Sequence, residues 1–156
     1  MSSSSREATR GPAPAGRPDR APPGHQPRAL YVHVPFCPSV CPYCDFHKML
    51  RSGPLVARYL DRLEAEIEAV SSAYPGALDT VYFGGGTPSH LTDAELERVF
   101  GALRRGWGGE GTTEGPLART ELTLEADPLT FDAARLERFA SLGVTRLSIG
   151  LQSTQD

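Results

Sequence analysis

From Ala29 onward the sequence alternates short β-branched runs with long amphipathic ones, and few folds accept that pattern. "ALYVHV" (Ala29–Val34) is a strand signal ended by Pro35. "PLVARYLDRLEAEIEAVSSAY" (Pro54–Tyr74) puts Val56, Tyr59, Leu60, Leu63, Ile67 and Val70 on one helical stripe, with Pro54 in the first turn and Pro75-Gly76 as the stop. The charges on the rest of this helix read as a solvated face, with Glu64 and Glu68 opposed by Arg58 and Arg62. "LDTVYF" (Leu78–Phe83) is a second strand running into "GGGTP". Thr92 and Glu95 have capping-box spacing ahead of a Leu96, Val99, Phe100, Leu103 stripe, and the glycines of Gly106–Gly115 predict a loop. A third strand (Thr120–Pro128), a third helix (Leu129–Gly143, capped by Thr130 and closed by Gly143) and a fourth strand (Thr145–Gln152) complete the series.

The order β-α-β-α-β-α-β demands parallel strands, so the class is α/β. An open doubly wound sheet and a (β/α) barrel both begin this way, and in both, function gathers at the carboxyl ends of the strands. "PFCPSVCPYC", "GGGTP", "EADP" and "QS" each follow a different strand and are expected to face one another on one rim.

A length of 156 residues suits one domain. Residues 1–28 form a different zone, with Pro12, Pro14, Pro18, Pro22, Pro23 and Pro27 among five arginines and no large aliphatic residue after Met1. Such a segment buries too little apolar surface to order itself, so it reads as a disordered tail before a folded unit at 29–156. Its prolines argue against the amphipathic helix of a transit peptide, and "MSSSSREATR" has no apolar secretory core, which makes a cytoplasmic protein the expectation. A net charge of −3 argues against a nucleic-acid module. No apolar run approaches a membrane span of about 18 residues.

All three cysteines, Cys37, Cys41 and Cys44, fall within "FCPSVCPYC". A structural disulfide is disfavoured by the tight spacing and odd count. A zinc site would need His33, Asp45 or His47 as a fourth ligand, and no second knuckle exists. A 4Fe-4S cluster fits the thiols better: three thiolates leave one iron open, where an electron-carrying cluster would normally have a fourth cysteine.

Cys37-x3-Cys41-x2-Cys44, with Tyr43 just before the last cysteine, resembles the cluster loop of the radical S-adenosylmethionine superfamily. That resemblance implies the first half of a partial (β/α) barrel, a 4Fe-4S cluster on the three cysteines, and S-adenosylmethionine on the open iron, cleaved there to a 5′-deoxyadenosyl radical. "GGGTP" is neither a G-x-G-x-x-G fingerprint nor a P-loop, and its bare backbone admits close approach of a ligand. It resembles the family segment that holds the cofactor's amino group, which assigns that role to Gly85, Gly86 and Thr87. Glu125 faces away from Leu122 and Leu124 and matches the family's cofactor-contacting glutamate. Gln152 resembles its "G-x-Q" glutamine, while Tyr31 and Tyr43 match aromatics near the cofactor. His33 reads as a packed strand residue.

Across Ala29–Asp156 the motifs are similar to the branch holding the HemW heme chaperones and the oxygen-independent coproporphyrinogen III oxidases. The oxidases usually carry a fourth cysteine where Phe46 stands, and tend to read "G-x-Q-D" where this chain has Gln152-Ser153. Both differences favour the chaperone, whereas Asp127 in "EADP" leans to the oxidase. The resemblance implies heme as a further ligand, heme or porphyrin handling, a flavodoxin- or ferredoxin-like electron donor and heme-accepting proteins. Family members continue through further βα units and a C-terminal domain. A chain ending at Asp156 is therefore expected to be of doubtful activity and poorly stable alone, leaving an inactive fragment or a zinc module as the other readings.

Overall fold

The computed structural model describes residues 26–108, 117, 119–151, 153 and 155. The proline-rich tail up to residue 25, most of the glycine-rich loop and Gln152 lie outside the described residues.

The element order is β1 (Ala29–Val34), β2 (Phe36–Cys37), β3 (Met49–Leu50), α1 (Gly53–Ala73), β4 (Thr80–Gly85), α2 (Asp93–Trp107), β5 (Glu121–Ala126), α3 (Ala133–Ser141) and β6 (Arg146–Ile149). Strands β1, β4, β5 and β6 lie side by side in that order, every pair parallel, so the α/β class and the alternation expected from the sequence both hold. Single 3-10 turns occupy Pro88–His90 and Pro128–Thr130.

The register separates two faces. Val32, Phe83, Leu124 and Leu147 form one row across the sheet, and Tyr31, Tyr82, Thr123 and Arg146 form the next. The first parity carries the core: Val32, Val34, Val81, Phe83, Leu122 and Leu124 are buried with the apolar stripes of α1 and α2. Val56, Leu60, Leu63 and Ile67 of α1 are buried as their spacing predicts, and so are Leu96, Val99, Phe100 and Leu103 of α2. Phe83 stacks on Phe100 at 4.7 Å between centroids. Parallel sheets are normally covered on both faces by near-continuous apolar strands. Here the second parity is polar and aromatic, and Tyr31 on it is 56% exposed. That polar, partly open face suits a partial barrel's interior rather than a doubly wound core.

Four details differ from the sequence reading. The third helix starts at Asp132, whose side chain accepts the Arg135 N–H at 2.9 Å, not at Thr130, which belongs to the preceding 3-10 turn. Strand β6 ends at Ile149, short of Gln152. α2 runs through Gly106 and Trp107, because at Gly106 the two helices come so close that a Cβ would sit 2.8 Å from the Ser71 hydroxyl. The acids of α1 do not simply face solvent: Asp61 and Glu64 reach across to Arg98 of α2 at 2.7 and 2.6 Å.

Candidate functional site

The three cysteines hang from a two-stranded clip. Strands β2 and β3 pair in parallel, Phe36 with Met49 and Cys37 with Leu50. The Met49 N–H donates to the Pro35 carbonyl at 2.8 Å, so the loop Pro38–Lys48 is pinned at both ends. Within it the Cys44 N–H donates to the Cys41 carbonyl at 3.2 Å, and the Lys48 ammonium donates to the Cys44 carbonyl. Arg51, just past the clip, lies 2.7 Å from both carboxylate oxygens of Glu95. Glu95 in turn completes the predicted capping box with Thr92. Burial alone would raise the Glu95 carboxyl, but the hydrogen bonds from Thr92 and Arg51 outweigh it and hold the group below its usual range.

The "GGGTP" segment docks on this clip. Gly86 donates to the Val34 carbonyl and Thr87 to the Phe36 carbonyl, each at 2.8 Å. Gly85 has φ +117°, and a Cβ there would meet the His33 ring at 2.6 Å; one on Gly86 would lie 2.7 Å from the Pro35 backbone. The close approach that these two glycines permit is therefore made by the chain's own groups.

Glu125 reaches the same place from β5. Its Oε1 accepts from the Tyr82 hydroxyl at 2.7 Å and its Oε2 from the Gly85 N–H at 3.1 Å. The hydrogen bond to Glu125 pushes the Tyr82 phenol up, partly offset by a second one with Ser148 of β6. Beneath the rim, Ser89 is fully buried. Its hydroxyl bonds to that of Thr130 and accepts the Asp127 N–H at 3.3 Å, while Arg135 donates to the Ser89 and Leu91 carbonyls at 3.1 and 2.6 Å. This clasp ties the turn after β4 to the turn after β5.

These segments enclose a cavity of about 310 Å³. Cys37, Cys41, Cys44, Tyr43 and Lys48 of the loop line it, with Gly85, Gly86 and Thr87 of "GGGTP". Glu125 and Asp127, with Ser148 through Gly150, complete the lining. Three of the four rim motifs thus meet as expected; of the fourth, "QS", Gln152 lies outside the described residues and Ser153 is not among the lining, which on this side comes from Ser148–Gly150 at the end of β6. Tyr31 is not in the wall: it stacks on Tyr82 at 6.1 Å and bonds His33 Nδ1 at 3.1 Å. Tyr43 is 69% exposed, its phenol pushed up by a hydrogen bond with Cys41 and by the nearby Cys41, Cys44 and Asp127 charges.

All three thiols are free, Cys37 buried and the others half-buried. Soft thiolates suit an iron–sulfur centre, in which each cysteine binds a different iron. Among the described residues no three His, Cys, Asp or Glu side chains converge on a point where a single ion could sit. Lys48, Tyr82 and Ser148 were not singled out by the sequence. Tyr82 carried a signal in its parity with Gly84, whereas no motif marked Lys48 or Ser148.

Residues 31–156 match the family model described as the radical SAM superfamily. The chain is 39% identical over 130 residues to anaerobilin synthase of Escherichia coli O157:H7, covering 81% of this chain and 27% of that protein. It is 32% identical over 130 residues to the heme chaperone HemW of Bacillus subtilis (strain 168), covering 83% and 33%. The solved structure of coproporphyrinogen III oxidase (HemN) from Escherichia coli, a radical SAM enzyme, superimposes with a TM-score of 0.73 at 30% identity, covering 88% of this chain and 30% of that one. The chain thus spans about a third or less of the length of each of these relatives. No helix among the described residues is long and apolar enough to cross a membrane.

Proposed function

Because this chain belongs to the radical SAM superfamily, we propose that it forms the cluster- and cofactor-binding portion of a HemW-like heme chaperone. The observation that carries this reading is the convergence of three free thiols and Glu125 on one cavity. Cys37, Cys41 and Cys44 would hold a 4Fe-4S cluster with one iron open. Gly85, Gly86 and Thr87 would border S-adenosylmethionine, and the Glu125 carboxylate, already oriented by Tyr82 and Gly85, would take its ammonium. Tyr31, Tyr43 and Gln152 are proposed as further cofactor contacts, and Asp127 adds a second carboxylate on the same side of the cavity. When bound and reduced, such a centre supplies one electron to a sulfonium. The part of this chain is to seat, orient and shield.

Support for the chaperone comes from Phe46, 72% exposed at the cavity edge where an oxidase-type sequence carries a further cysteine. Heme or a related porphyrin would be the cargo, a flavodoxin- or ferredoxin-like protein the electron donor, and heme-accepting proteins the destination. Asp127 and the likeness to HemN favour a second reading, oxygen-independent oxidation of coproporphyrinogen III. Anaerobic reconstitution followed by iron analysis and electron paramagnetic resonance tests the shared premise. Four irons per chain and a signal that changes on adding S-adenosylmethionine are expected; a colourless zinc-bound protein would overturn it. Heme titration and product analysis with coproporphyrinogen III then separate the two readings.

A further inference from the structure

We infer that Lys48 sets the reduction potential of the centre proposed for Cys37, Cys41 and Cys44, holding it higher than the thiolates alone would. The inference rests on the cluster reading above and concerns a residue outside the motifs. Lys48 is half-buried in the wall of the cavity that the three thiols line, and its ammonium donates to the carbonyl of Cys44. Among the described residues no carboxylate lies within ion-pair reach of it. Arg51 shows the contrast: three positions along, its charge is answered by Glu95 at 2.7 Å. Lys48 therefore brings a positive charge with no carboxylate partner among the described residues into the lining that the three thiols share.

Net charge and hydrogen bonding around the sulfurs are among the terms that set the potential of an iron–sulfur centre. The reduced centre carries one more negative charge than the oxidised one, so a fixed cation stabilises the reduced form more. The hydrogen bond to the Cys44 carbonyl keeps that cation from swinging out to solvent.

Two variants divide the charge from the anchor. Lys48→Gln keeps an N–H donor for the Cys44 carbonyl and removes the charge; Lys48→Arg keeps the charge. The protein and both variants are reconstituted anaerobically, analysed for iron, and titrated with dithionite and mediators while the reduced-centre resonance is followed. Equal iron is expected in all three, with a lower midpoint for Lys48→Gln and an unshifted one for Lys48→Arg. At the parent midpoint the reduced-to-oxidised ratio of Lys48→Gln should fall about tenfold, which is 59 mV for a one-electron couple. A Lys48→Gln midpoint equal to the parent's overturns the inference, as does a Lys48→Arg midpoint that falls equally far. Loss of iron from Lys48→Gln alone would make Lys48 an assembly residue and overturn it too. A parent protein that forms no four-iron centre sinks the underlying cluster reading instead.

Discussion

The Tyr82 hydroxyl on β4 donates a 2.7 Å hydrogen bond to Oε1 of Glu125 on β5, spanning the sheet diagonally, since Tyr82 registers with Thr123. An aromatic side chain is long enough for that diagonal. With Gly85 on the other oxygen, the carboxylate is fixed before any ligand arrives. Tyr82→Phe removes the donor and keeps the ring. Hydrogen bonds to charged groups contribute about 1.5–3 kcal/mol, so S-adenosylmethionine affinity should fall about tenfold or more while iron content stays unchanged. Equilibrium dialysis of the reconstituted variant measures it, and an unchanged affinity would detach Glu125 from the cofactor.

Two glycines should respond oppositely to alanine. Gly86→Ala drives a methyl to 2.7 Å from the Pro35 backbone, which cannot yield as a side-chain tip can. Overpacking of this kind costs about 1–3 kcal/mol. Gly101→Ala, mid-helix in α2, meets only the Arg105 guanidinium tip at 3.3 Å and should stabilise by about 0.5–1 kcal/mol. Thermal melts of the two variants should move in opposite directions.

The clasp beneath the rim can be tested by a double-mutant cycle. Ser89→Ala removes the hydroxyl that accepts the half-buried Asp127 N–H at 3.3 Å and bonds to Thr130. Losing such hydrogen bonds should cost about 1 kcal/mol. Thr130→Val breaks the same hydroxyl pair from the other side, so the two losses should couple by at least about 0.5 kcal/mol in urea denaturation. Strict additivity would mean that the hydroxyls do not act together.

Acid should loosen the junction of α2 with the cysteine clip. Glu95 is held below its ordinary carboxyl range in the folded chain by Thr92 and Arg51. A depressed folded value stabilises above the unfolded value, and that contribution disappears as pH falls through the folded one. Glu95→Gln should therefore cost more stability near neutral pH than at about pH 3, with chemical denaturation at both pH values as the measurement. Thr92→Ala should cost about 1 kcal/mol through the lost cap.

The long elements were legible because their periods are. The α2 stripe is buried throughout, and that of α1 at Val56, Leu60, Leu63 and Ile67 with Tyr59 and Val70 half-buried at its margin, while the parities of β1, β4 and β5 put their apolar residues in the core, with Thr123 buried on the other face as well. Strands β2 and β3 have two residues each and no pattern to read. Thr130 and Asp132 both stand ahead of α3, and only the 3-10 turn at Pro128–Thr130 decides between them. In the site, the cysteines, "GGGTP" and Glu125 could be read because their chemistry or spacing is unusual. Lys48 could not, since its role depends on where the loop folds back. The triple glycine was legible as close approach, but His33 and the Pro35 backbone are what approach Gly85 and Gly86.

The Met49–Pro35 hydrogen bond and the paired residues of β2 and β3 close the cysteine loop like a stitched purse mouth. Much of the entropy of bringing the three sulfurs near one another is thus already spent by the fold. A centre held there and lost to air would leave the loop still clipped at both ends, so refilling from iron and sulfide would call for no renewed pairing of β2 and β3. Repair in place, rather than replacement of the polypeptide, is what such an architecture allows.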